Sequence, residues 1–114
     1  MLNDRLAAAK MVAEKISALE NAIDDALTCA AELTAATPAA RKRAKLSPVV
    51  GQEAIALTGE AMAALHSARA KIVAAHSEFA AVREQIGIKP SMTGDLWKFV
   101  GAADQEQPAL KRVA

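Results

Sequence analysis

Histidine, cysteine and carboxylate side chains are what a small helical protein uses to build a metal or acid–base site, so their spacing is read first. The chain has two histidines, His66 and His76, and one cysteine, Cys29. A carboxylate-bridged metal pair in a helical bundle needs Glu-x-x-His on two helices, because a step of three keeps both ligands on one face. Ala63 stands three before His66 and Val73 three before His76, so neither motif is present. Glu60 and His66 are six apart and do not share a face. His76-Ser77-Glu78 are chain neighbours, which point apart on a helix. Both histidines are expected to flank the core positions Leu65 and Ala75. Cys29 cannot form an internal disulfide or a cysteine cluster. Among acidic and neutral neighbours it reads as a small buried thiol. The chain has no glycine-rich phosphate loop and no dinucleotide fingerprint. The expectation is a protein without catalytic residues, cofactor or metal.

Two other groups have chemistry to offer. Arg41, Lys42, Arg43 and Lys45 form the densest charge cluster and are candidates for gripping phosphate, on nucleic acid or a lipid headgroup. No aromatic residues interleave with them, and no helix-turn-helix or finger pattern surrounds them. The alternative is a solvated turn that offsets Glu20, Asp24, Asp25 and Glu32 and the negative end of the preceding helix. Leu96, Trp97, Phe99 and Val100 are the candidates for partner recognition, since Trp anchors are over-represented at interface hot spots. They could equally plug a core that is short of bulky groups.

The elements that must position these residues are helices. Alanine makes up about a quarter of the chain, far above ordinary usage. Alanine forms helix readily but buries little area. Such helices must approach closely, or recruit a second chain, to make a core. From Pro48 the apolar residues Val50, Ala54, Leu57, Ala61, Leu65, Ala68, Ile72, Ala75, Phe79, Val82 and Ile86 step by threes and fours, the spacing of one helix face. The register slips between Leu57 and Leu65, like a stutter in a coiled coil. Gly59 sits at that slip, and close helix approach or a local bend is expected there. Leu2, Leu6, Ala9, Val12, Ile16, Leu19, Ile23, Ala26, Ala30 and Leu33 repeat the pattern.

Thr37-Pro38 and Ser47-Pro48 each read as an N-cap followed by Pro in the first helical turn. The predicted layout is a helix over 2–36, a basic turn over 37–47 and a helix over 48–87. A short helical segment follows over 91–101, and 102–114 is a frayed tail. Gly87 is expected as a left-handed cap with Ile88 making its hydrophobic contact and Pro90 blocking continuation. Folding about residue 42 or 43 places Ile16 near Arg69, Leu6 near Phe79 and Leu2 near Val82. Glu14 then faces Arg69 and Lys71, and Asp24, Asp25 and Glu60 meet as like charges.

Each helix carries a second weak stripe: Ala56, Met62, Ala63, Ala70, Val73, Ala74 and Ala81 on the second, Ala8, Met11, Ala18, Ala22 and Leu27 on the first. A hairpin hides one stripe per helix, and two stripes ask for a bundle. The fold expectation is all-α: a long antiparallel two-helix hairpin that dimerises into a four-helix bundle, with a short C-terminal helical segment. A monomer whose C-terminal segment covers the second stripe is the alternative. The 14 basic and 13 acidic residues, net +1, give no general pull toward nucleic acid or membrane. The start of the chain lacks a signal-peptide pattern and a lone cysteine suits a reducing compartment, so a cytoplasmic protein is expected. The leading functional expectation is a non-catalytic structural or adaptor protein acting through helix-bundle contacts. The alternatives are a nucleic-acid-associated protein using the basic tip, and a small-ligand carrier with a pocket near Gly59 and Met62.

Overall fold

The computed structural model of the chain describes residues 1–93. They form an all-helical hairpin of α1 (Leu2–Arg43) and α2 (Gln52–Gln85), followed by the single turn α3 (Pro90–Thr93). No strand occurs among the described residues. The recognition candidates Leu96, Trp97, Phe99 and Val100, and the tail over 102–114, lie outside them.

The first helix does not stop at Thr37. It runs through Pro38 to Arg43. A proline in a helix interior lacks the N–H that would bond the carbonyl four residues back. Here that carbonyl belongs to Thr34, and the Thr37 hydroxyl donates to it at 3.2 Å. The side chain next to the proline thus supplies the donor that the proline lacks, and the helix continues for another five residues.

The helix ends on a six-to-one and five-to-two pair of bonds. Leu46 N–H donates to Arg41 C=O and Lys45 N–H to Lys42 C=O, both at 3.1 Å. This is the Schellman arrangement, whose pivot residue must be left-handed. Lys45 holds that position at φ 59°, where glycine is usual. The end of α2 is built the same way: Ile88 N–H to Arg83 C=O and Gly87 N–H to Glu84 C=O, both at 3.0 Å, with Gly87 at φ 83°. Ile88, the residue after the pivot, is the most deeply buried large side chain, at 1% exposure.

Ser47-Pro48 does not open α2. It makes a separate turn, with Val50 N–H donating to Ser47 C=O at 3.0 Å and Val49 N–H reaching the Ser47 hydroxyl at 3.4 Å. Gly51, at φ 77°, breaks that turn from the helix, and its carbonyl accepts the Ile55 N–H at 3.0 Å. The basic cluster therefore sits on the last turn and cap of α1, not in a turn over 37–47.

The inward faces also differ from the stripes of bulky residues. On α1 a run of sheltered positions, Leu6, Ala9, Ala13, Ile16, Glu20, Ile23, Leu27, Ala30, Thr34, Thr37 and Arg41, steps alternately by three and four, a seven-residue repeat. Val12, Ser17 and Ala26 are half-buried beside it. On α2 the same repeat runs through Ile55, Thr58, Met62, Leu65, Ile72, His76, Arg83 and Ile86, with Arg69 and Phe79 at its two exposed places and Ala68, Ala75 and Ala80 half-buried beside it. The register does not slip at Gly59. It runs through Ile55, Thr58 and Met62, one position on from Ala54, Leu57 and Ala61. Leu27 and Met62, assigned to the second stripes, are seam residues.

Threonine can enter the seam because its hydroxyl is satisfied on its own helix. Thr34 donates to Ala30 C=O at 2.8 Å and Thr58 to Ile55 C=O at 2.6 Å. The described residues divide into two compact units: Met1–Leu19 with residues 73–93, and Glu20–Ile72. In the second, Arg69 pairs with Asp24 and Thr34 touches Met62 at 4.0 Å. Both pairings fold about Leu46–Pro48, not about residue 42 or 43. Asp24 therefore meets Arg69, nine residues along α2 from Glu60, and the like-charged meeting of Asp24 with Glu60 does not form. The apex moved because α1 passes Pro38.

Candidate functional site

The described residues place the chemistry-bearing side chains apart. His66 is exposed on α2, while His76 is 3% exposed and lies on the seam, not on its flank. Cys29 is exposed, contrary to the expectation of a buried thiol. Among the described residues no three His, Cys, Asp or Glu side chains converge on a point that could hold a metal ion. No described helix is long and apolar enough to cross a membrane.

At the turn, Lys42, Arg43 and Lys45 are exposed and Arg41 is half-buried. Arg41 is not simply part of a phosphate-facing set. Its Nη1 donates to Leu46 C=O at 2.7 Å, across the loop that its own carbonyl closes. A guanidinium has five donors in a planar fork, and this one holds at least one of them on the cap. Sequence alone lumped four cations together, but the structure separates one that ties the loop from three that face solvent.

In the same unit Arg69 Nε donates to Asp24 Oδ1 at 2.7 Å. The hydrogen bond, and then the charge of Asp24, raise the guanidinium above its usual range, with Glu20 adding to the effect. Gly59 is exposed, and a β-carbon there would meet nothing within 4 Å. The close approach expected at this glycine is absent.

An apolar groove lies in the unit that holds Met1–Leu19 and the end of α2. Ala8, Ala9 and Val12 of α1 and Phe79, Val82, Arg83 and Ile86 of α2 line a groove of about 150 Å³. Its one charged lining residue is Arg83, 7% exposed, with Nη2 at 3.9 Å from Glu84 Oε1. Beside it Arg5 Nη1 donates to Ile86 C=O at 3.4 Å. Neither the groove nor Arg83 was marked by the sequence, because Phe79 and Val82 read as core residues and Arg83 as a surface cation. The signal available was the heptad step from His76 through Phe79 to Arg83.

Outside the groove, large apolar side chains remain in solvent. Met11 is 57% exposed, Leu33 51% and Leu57 53%. Leu19 and Val73 are also exposed. The buried apolar core among the described residues is Ala9, Ala13, Ile16 and Ile88. Compared with protein-family models, curated proteins and solved structures, the chain matches none of them.

Proposed function

We propose that this is a non-catalytic assembly or adaptor protein. It works by laying an apolar helix flank against another helical chain, and its first partner is a second copy of itself, giving a four-helix bundle. The observation that carries this reading is an inversion. At Thr34, Thr58, His76 and Arg83 the seam between the helices takes a polar side chain, while the neighbouring Leu33 and Leu57, with Met11 and other bulky apolar residues, stay outside.

Energetics make the inversion consequential. Ordering a residue costs about 1–2 kcal/mol of backbone entropy. Full burial of a Leu or Ile returns about 1.5–3 kcal/mol and an alanine much less. With Ala9, Ala13, Ile16 and Ile88 as the buried apolar core among the described residues, the hairpin is short of burial, and small domains that lack a core commonly gain one by oligomerising. Covering Leu33, Leu57 and their neighbours with a second hairpin supplies it.

The test is the mass in solution. Light scattering at micromolar concentration is expected to give twice the chain mass. Leu33→Glu with Leu57→Glu, in the unit away from the groove, is expected to return it to a single chain. A wild-type protein that is monomeric and fully helical overturns the reading.

A further inference from the structure

We infer that the groove walled by Ala8, Ala9, Val12, Phe79, Val82 and Ile86 seats the chain's own Leu96-Trp97 pair. The inference is independent of the assembly proposed above, since it concerns a different surface and an occupant in the same chain.

Four observations carry it. The groove walls are apolar, which suits a large side chain with much apolar surface to bury. The chain has one Trp, in a stretch that places Leu96, Phe99 and Val100 beside it. No other stretch combines that bulk with aromatic character.

The path of the chain is the third. Gly87, at φ 83°, turns the backbone at the end of α2, and Ile88 is then buried at 1% exposure. The chain thus leaves α2 packed onto the unit that holds the groove.

Reach is the fourth. Ile86 is a groove wall, and Trp97 lies eleven residues beyond it, four of them in α3. The other seven span about 23 Å when extended. The groove follows α2 from Ile86 back to Phe79, only about 10 Å of helix. A tether this short holds its end at an effective concentration near millimolar. A groove on a second copy, at micromolar protein, competes poorly with that.

Trp97 fluorescence tests the inference in the full chain, which has no Tyr and no other Trp. The expected result is blue-shifted emission and severalfold weaker acrylamide quenching than for free Trp, both unchanged on dilution across the concentration range that separates dimer from monomer. Val82→Glu, at an exposed groove wall, is expected to shift the emission to the solvent-like position while leaving helical circular dichroism intact. Leu33→Glu with Leu57→Glu is expected to leave the emission where it was. Solvent-like emission in the wild type overturns the inference, as does blue-shifted emission that Val82→Glu leaves unmoved. A blue shift lost on dilution also overturns it, by assigning the groove to another copy. Failure of the assembly proposal reads out separately, as mass.

Discussion

Arg69 Nε donates to Asp24 Oδ1 at 2.7 Å, tying the middle of α2 to the middle of α1 within the unit that carries the turn. Each side chain is about half exposed, so the bond marks register more than it supplies stability. A double-mutant cycle with Asp24→Asn and Arg69→Met is expected to show favourable coupling that fades as salt is raised. The raised Arg69 value fixes the sign on the alkaline side. The contribution is fully present below the guanidinium's ordinary value and is lost only as pH rises through the higher folded one. Stability curves between neutral and mildly alkaline pH should therefore show no step due to Arg69.

The two helix ends make opposite predictions from one motif. Lys45 sits left-handed at φ 59°, so Lys45→Gly relieves roughly 1 kcal/mol of strain, less the added freedom of the unfolded chain. Gly87→Ala imposes a similar strain and is expected to cost about 1 kcal/mol. Urea unfolding of the two variants should move the midpoint in opposite directions.

Thr37 and Pro38 are predicted to be energetically coupled. Thr37→Val removes the hydroxyl that serves the Thr34 carbonyl and should cost about 1 kcal/mol. Pro38→Ala restores the backbone N–H and should stabilise by up to about 3 kcal/mol. In the Pro38→Ala background the Thr37→Val loss should shrink, because the carbonyl has its ordinary donor again. Thermal unfolding of the four proteins measures this.

Gly59 stands in open space inside α2. Gly59→Ala is expected to raise stability by up to about 1 kcal/mol with no change in oligomeric mass. A destabilised variant would reveal a neighbour that the hairpin alone does not place there.

These positions show what was legible in the sequence. The two long helices and the left-handed cap at Gly87 followed from alanine content, threes-and-fours spacing and the Gly-x-x-Pro ending. The register followed only in part. Ala9, Ile16, Ile23, Leu65 and Ile72 are sheltered as expected, but Leu33 and Leu57 lie outside, because the seam accepts Thr34 and Thr58 once their hydroxyls are satisfied by their own helix. Thr37-Pro38 read as a break for a related reason. A threonine before proline can cap a new helix or mend the old one, and only the position of the Thr34 carbonyl decides between them. Arg41 was legible as a cation but not as a loop tie, since its acceptor at Leu46 exists only after Lys45 turns left-handed. The groove was hidden because its walls mix seam residues, Ala9, Arg83 and Ile86, with flank residues, Ala8, Val12 and Val82.

The central claim is that the outer flank, not the seam, is the working surface. Sedimentation equilibrium of the wild-type chain tests it most directly. A mass near twice 11.9 kDa that falls to a single chain in the Leu33→Glu, Leu57→Glu protein is the predicted result. A wild-type mass of one chain, with helicity intact, would contradict it.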